Sequence, residues 1–124
     1  MGNYFPVSNP AANYTFTAAS QVTGGDPLEF TGTGTGDGQV QRAAGGARYA
    51  GIASTDTAPG HGLAVYVGCA VFYGPAEGTV TAGDPLAASA VPGRQVKTAP
   101  PGAEVIGRAF GSAADGALVH WKQY

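Results

Sequence analysis

Hydrophobic residues along this chain come in short runs that Gly and Pro separate, as in "GLAVYVG" (62–68), "EVIGRAF" (104–110) and "ALVHWKQY" (117–124). Residues 11–23 form the one stretch without Gly or Pro that is long enough for an average helix. Within it, "NYTFTA" alternates aromatic residues with Thr, which favours a strand. Short runs at close spacing with Gly and Pro turns are typical of a sandwich or barrel. We therefore predict an all-β barrel or sandwich of about ten short strands.

The chain also repeats itself. "VTGGDPL" at residues 22–28 returns as "VTAGDPL" at residues 80–86, an offset of 58. Seven further residues between 39 and 53 recur at an offset of 56, and residues 62–67 align with 116–121 at an offset of 54. Offsets held over this many residues indicate an internal duplication.

We divide the single domain of residues 1–124 accordingly. Residues 1–21 form an N-terminal arm and first strand, 22–67 the first repeat, 68–79 a linker strand, and 80–124 the second repeat.

The repeated heptapeptide predicts a turn that opens a strand. Its Gly can take positive φ, its Asp carboxylate can accept nearby backbone N–H groups, and its Pro can begin a strand where no N–H is needed. Leu28 and Leu86 follow and should fill equivalent core positions. The turn residues are Gly25, Asp26 and Pro27 in the first copy and Gly83, Asp84 and Pro85 in the second.

Charge is scarce, with 11% charged residues and a net charge of −2. A thinly charged surface favours association with other protein. The six basic residues form no stripe, which argues against direct binding to nucleic acid. Apolar runs are too short for a membrane helix and no signal peptide is visible, so we expect no membrane partner and synthesis in a cytoplasm.

Residues that could carry chemistry form no recognisable site. Ser54, Asp56 and His61 share one loop, but this loop lacks the Gly-x-Ser-x-Gly turn with which α/β-hydrolases expose a nucleophilic Ser. His61, His120 and Cys69 show no metal-ligand spacing. Cys69 lies in the run "AVYVGCAVFY" and should be a small buried hydrophobe. The sequence predicts no catalytic residue, no metal and no cofactor.

Ordered motifs along nearly the whole chain resemble the head decoration, or capsid cement, family of tailed bacteriophages. The matching motifs fall at residues 3–6, 17–20, 22–25, 51–53, 80–84, 106–109 and 115–121. The resemblance implies a non-enzymatic virion protein that is made in the host bacterial cytoplasm. Such a protein binds the outer surface of an assembled capsid and stabilises it by bridging neighbouring major capsid subunits. It also implies self-association as a homotrimer.

The N-terminal arm is the expected interface. It lies outside both repeats yet carries an apolar cluster, so we expect it to be poorly ordered in the monomer and ordered against a capsid or sister subunit. The expected contact residues are Asn3, Tyr4, Phe5, Pro6 and Val7. The alternative function is a carbohydrate- or ligand-binding β module on a virion or cell surface, which would need exposed aromatic residues such as Trp121, Tyr4, Tyr14 or Tyr124.

Overall fold

The computed structural model describes residues 2–4, 6–7, 13–32, 38–45 and 48–124. These ranges contain ten short strands and no helix, which confirms the all-β prediction. The strands are β1 (Asn13–Ala18), β2 (Pro27–Phe30), β3 (Gln39–Arg42), β4 (Tyr49–Ala53), β5 (Gly62–Tyr66), β6 (Val71–Pro75), β7 (Pro85–Ala88), β8 (Val96–Thr98), β9 (Gly107–Ala109) and β10 (Leu118–Gln123).

The strands form two five-stranded sheets. The first half of the fold, β1 to β5, is a closed barrel in the order β1-β3-β2-β4-β5, and a parallel β1–β3 contact completes it. The second half, β6 to β10, is a sheet in the order β6-β10-β9-β7-β8. Its end strands meet only at a parallel bridge between Ala76 and Val96, which corresponds to the Ala18–Val40 pair of the barrel.

The two halves share one pairing scheme. In each, the second strand pairs antiparallel with the third and the fourth, and the first and fourth strands each pair antiparallel with the fifth. β1 and β6 therefore take corresponding places, although the sequence assigned them to the arm and the linker. The likeness supports the duplication hypothesis, which stays a prediction.

The register of the last strands corrects one part of the sequence alignment. Ala53 pairs with Val65 in the first half, and Ala109 pairs with Trp121 in the second. Both members of the pair therefore correspond at an offset of 56, and the offset of 54 suggested for residues 62–67 is wrong. A shift of two residues leaves every side chain on the same face of a strand, so hydrophobic alternation cannot distinguish the two registers.

Two hydrophobic cores fill the fold. One lies inside the barrel and contains Leu28; the other lies against the second sheet and contains Leu86 and Trp121, all of them fully buried. Ile52 and Tyr66 belong to barrel strands but point out of the barrel into the second core. The halves are thus joined by packing as well as by the chain.

Cys69 is exposed, so the prediction that it is buried is wrong. The chain bends at residues 68–69, where Gly68 has φ of 71° and its carbonyl accepts the amide of Ala70. The apolar run is therefore two strands, β5 and β6, and Cys69 lies in the connection between them.

Candidate functional site

The repeated heptapeptide forms the same turn in both halves. Gly25 has φ of 93° and Gly83 has φ of 91°, and in each half the Asp carboxylate accepts a backbone amide two residues before that glycine at 2.9 Å. The Pro that follows begins β2 or β7. These glycines cannot take a side chain without strain. Because the two turns have the same backbone, a difference in the residues around them reflects a difference between the two halves.

Residues 2–4 of the arm pair with residues 54–56, which follow β4 of the barrel. We call residues 54–56 the arm-binding segment. Asn3 forms an antiparallel bridge with Thr55. The amide of Tyr4 donates to the Ser54 carbonyl at 2.6 Å, and the amide of Asp56 donates to the Gly2 carbonyl at 3.0 Å. Gly24 permits this approach, because a Cβ there would lie 2.8 Å from the Gly2 oxygen.

Tyr4 lies between the two halves. Its ring stacks on Phe72 with centroids 5.9 Å apart, and its hydroxyl donates to the Tyr73 carbonyl at 2.7 Å. The side-chain amide of Gln95 donates to the Tyr4 hydroxyl at 3.2 Å, and the Tyr66 hydroxyl donates to the Tyr4 carbonyl at 2.7 Å. Burial raises the pKa of Tyr4 above its usual value despite the hydrogen bond from Gln95. Tyr4 is therefore an internal contact of the fold.

The rest of the predicted arm interface is divided. Pro6 is half-buried, and Val7 is 56% exposed while its amide donates to the Val71 carbonyl at 2.7 Å. Phe5 and residues 8–12 lie outside the described residues. Residues 2–4 thus pair with the fold of the single chain, whereas the sequence analysis expected an arm that is poorly ordered in the monomer. The expected contact with a capsid or sister subunit stays a prediction.

Arg42 makes a second tie between the halves. It donates to the Asp26 carboxylate at 2.8 Å, to the Arg94 carbonyl at 2.7 Å, and to the Val91 carbonyl. The corresponding residue of the second half, Thr98, donates only to Asp84 at 2.9 Å and more weakly to a backbone carbonyl. The first half thus carries a longer side chain that crosses to the second.

A cavity of about 200 Å³ also lies between the halves, lined by Glu29, Tyr49, Lys97, Glu104 and eight smaller or apolar residues. Glu104 accepts the Tyr49 amide at 3.0 Å, and the Tyr49 hydroxyl donates to Gln123. Burial, with a smaller contribution from the Glu104 charge, raises the pKa of Tyr49 well above its usual value.

The second half exposes a group of large side chains that the sequence analysis did not single out. Tyr73, Phe110 and Leu118 are 48%, 51% and 61% exposed, and His120 is half-buried beside them. The His120 ring stacks on Tyr73 at 4.5 Å and meets the edge of Phe110 at 5.4 Å. We call these four residues the outer aromatic face.

The corresponding positions of the barrel carry small residues. The pair Thr15–Ala64 matches Tyr73–His120, and the amide of Ser54 donates to Ala64 as that of Phe110 donates to His120. Gly62, opposite Thr17, matches Leu118, opposite Pro75. The fold therefore does not require large residues at these positions. The contrast between the two halves follows from the strand registers, which the sequence alone does not give.

Within the described ranges, no group of three or more His, Cys, Asp or Glu residues could hold a metal ion. The same part of the chain has no helix with the length and hydrophobicity to cross a membrane.

Comparison with models of protein families gives no match, and neither does comparison with curated protein sequences. Among solved structures, the fold matches the crystal structure of the N base of head fiber gp8.5 in bacteriophage phi29. The TM-score is 0.69 at 21% sequence identity, and the match covers 91% of this chain and 93% of that chain. The two chains therefore share their fold over nearly their whole length.

Proposed function

We propose that this chain is a non-enzymatic structural protein of a tailed-phage virion. In this proposal it binds the outer surface of the assembled capsid and bridges neighbouring major capsid subunits. The fold likeness to a phage head fiber base over 91% of the chain carries the proposal. The resemblance of the sequence motifs to the head decoration family supports it independently, because those motifs are distributed along the whole chain.

The distribution of surface chemistry agrees with a role in assembly. Eleven per cent of the residues are charged, and three large apolar side chains of the outer aromatic face are about half exposed. Burying one such side chain against a partner contributes roughly 1.5–3 kcal/mol by area. We propose the outer aromatic face as the main capsid contact, with Asn3 and Val7 as the accessible part of the arm and Tyr4 as its internal anchor.

Self-association as a homotrimer is part of the same proposal. Tyr14 is 62% exposed and stacks on Phe16, so the barrel also presents an aromatic ring that a sister subunit could cover. Sedimentation velocity of the free protein over a range of concentrations tests this part separately from capsid binding.

Co-sedimentation with empty capsid shells of the same phage tests the central function. We expect saturable binding to assembled shells, weak binding to unassembled capsid protein, and a rise in the temperature at which the shells disrupt. Absence of saturable binding would contradict the proposal.

The alternative of carbohydrate binding makes a different prediction for the same face. Of the aromatic residues expected for this alternative, Trp121 is fully buried and Tyr4 lies inside the fold, whereas Tyr14 and Tyr124 are exposed. On the outer aromatic face, Tyr73 and Phe110 would form the sugar platform. Retention on polysaccharide columns that is lost in Tyr73→Ala, without binding to shells, would favour that alternative.

A further inference from the structure

The second half contains a counterpart of the arm-binding segment. Residues 110–112, which we call the open segment, correspond to residues 54–56 at an offset of 56. Both segments are followed by an equivalent bridge, Val22–Thr57 in the first half and Val80–Ala113 in the second. The side chain of Asp56 caps the Gly24 amide at 2.9 Å, and that of Ser112 caps the Ala82 amide at 2.9 Å.

The two segments differ in what covers them. In the barrel, the Ser54 carbonyl and the Asp56 amide pair with the arm. Within the described part of the chain, the equivalent Phe110 carbonyl and Ser112 amide have no backbone partner, and both residues are exposed. A pair of unused backbone groups at this spacing is a place where an extended strand can add.

The turn beside the open segment leaves room for a side chain. A Cβ at Gly25 would lie 3.1 Å from the Tyr4 ring, whereas a Cβ at Gly83 would meet nothing within 4 Å. The space that the Tyr4 ring fills in the first half is therefore empty in the second. An aromatic or large apolar side chain would fit there.

The arm of a second copy would not fit in the same path. A Cβ at Gly24 would lie 2.8 Å from the Gly2 oxygen, and the corresponding residue of the second half, Ala82, carries that Cβ. That oxygen is a backbone carbonyl, so any strand at the open segment must lie slightly farther out than the arm lies beside Gly24. What distinguishes another polypeptide from this chain's own arm is charge, since residues 1–12 contain no Asp or Glu.

Charge indicates a further property of that polypeptide. Arg108 and Lys122 lie directly opposite each other on β9 and β10. Their counterparts in the barrel, Ile52 and Tyr66, are the residues through which the first half packs against the second core. Like charges directly opposite each other are unfavourable in a sheet, and a carboxylate beside them would offset their repulsion. Arg108 donates to the Gly83 carbonyl at 2.9 Å, which holds its guanidinium beside the open turn. The occupant should therefore bring a carboxylate to this pair.

We infer that the open segment binds an extended strand of the major capsid protein, with a large apolar side chain beside Gly83 and an acidic side chain at Arg108 and Lys122. This inference rests on the proposed function, since it names the capsid protein as the partner. The strand pairs through the Phe110 carbonyl and the Ser112 amide, and the outer aromatic face extends the contact.

Two variants of one residue separate the amide from the side chain. Ser112→Ala removes the hydroxyl cap on Ala82 but keeps the amide, whereas Ser112→Pro removes both. We expect Ser112→Ala to bind empty shells of the same phage as the wild type does and Ser112→Pro to bind at least tenfold more weakly. Lys122→Glu, which leaves the backbone intact, should also weaken binding at low salt.

Hydrogen exchange of the wild type decides the matter if Ser112→Pro fails to fold. The Ser112 amide should exchange fast in the free protein and slowly on shells, while the Asp56 amide is protected in both. Equal binding by Ser112→Pro and Ser112→Ala, or unchanged exchange at Ser112, would overturn the inference while leaving the proposed function intact. A wild type that does not bind shells would instead remove both. Loss of self-association in Ser112→Pro would make a second copy the occupant and would also overturn it.

Discussion

Gly25 and Gly83 occupy the same turn with the same positive φ but have different neighbours. Replacing either by Ala forces a side chain into an unfavourable backbone region, which costs about 1 kcal/mol. At Gly25 the new Cβ also meets the Tyr4 ring at 3.1 Å, so the arm must move. We therefore expect both variants to lower the free energy of unfolding, and Gly25→Ala to lower it more.

Urea denaturation of the two glycine variants measures this difference. Gly60→Ala is a useful control, because Gly60 also has positive φ and a Cβ there would meet nothing within 4 Å. It should resemble Gly83→Ala. If Gly25→Ala and Gly83→Ala lower the free energy of unfolding equally, the Tyr4 ring can move aside without a loss of stability.

Tyr49 makes the free energy of unfolding depend on pH in the alkaline range. Its pKa is raised well above the usual value of about 10 by burial and by the Glu104 charge. The unfolded chain therefore releases this proton first. The stability contributed by Tyr49 is complete below about pH 10 and is lost as the pH rises toward the folded-state value.

We expect the free energy of unfolding to fall above about pH 10, with Tyr49 contributing a slope of up to about 1.4 kcal/mol per pH unit. Tyr49→Phe should be somewhat less stable at pH 7, because the bond to Gln123 is lost, but should decline less steeply above pH 10. Urea denaturation of both proteins across that range is the measurement. Identical slopes would contradict the assignment.

At the scale of strands, the arm behaves as part of the fold. Tyr4 contacts Phe72, Tyr73, Tyr66 and Gln95, so Tyr4→Ala removes a half-buried ring and three hydrogen bonds are weakened or lost. We expect the free energy of unfolding to fall by about 2–3 kcal/mol, somewhat below the cost for a fully buried aromatic residue. Thermal and urea denaturation of the free protein give this value.

Val7→Ala is the matched control in the same arm. Its side chain is 56% exposed, so the stability of the free protein should change little. A Tyr4→Ala variant as stable as the wild type would mean that the arm is not held against the fold in solution.

Much of the strand inventory could be predicted from the sequence, because Gly and Pro divide it into pieces too short for helices. The strand β1 followed from the alternation in "NYTFTA". The correspondence between β1 and β6 could not be predicted from their sequences, which share little beyond Ala18 at the end of β1 and Ala76 just after β6. The open segment and the outer aromatic face also required the strand registers, because equivalence between halves is defined by pairing.

Cys69 shows a different limit. An apolar run of ten residues is compatible with one buried strand or with two strands joined by a short bend. Gly68 with positive φ decides for the bend, and hydrophobicity alone does not report it.

At the scale of the whole molecule, the contact between the halves is stabilised by side chains that only the first half possesses. Arg42→Thr introduces the residue that the second half carries at the corresponding position, Thr98. The hydrogen bond to Asp26 can then persist, while those to the carbonyls of Arg94 and Val91 are lost.

We expect Arg42→Thr to lower the free energy of unfolding by about 1–3 kcal/mol, since the carbonyls of Arg94 and Val91 lose hydrogen bonds from a charged donor. Thr98→Ala, which removes a bond within the second half, is the control and should cost about 0.5–1.5 kcal/mol. An Arg42→Thr protein as stable as the wild type would show that this tie contributes nothing to joining the halves.

The account as a whole assigns different roles to the two halves: the barrel binds the arm, and the second half binds the capsid. An electron-microscopy reconstruction of empty shells saturated with the protein tests this most directly. We predict density on the outer surface of the shell in which the open segment and the outer aromatic face of the second half contact the capsid protein. Shells without added density, or density in which the barrel contacts the shell and the second half faces outward, would contradict the account.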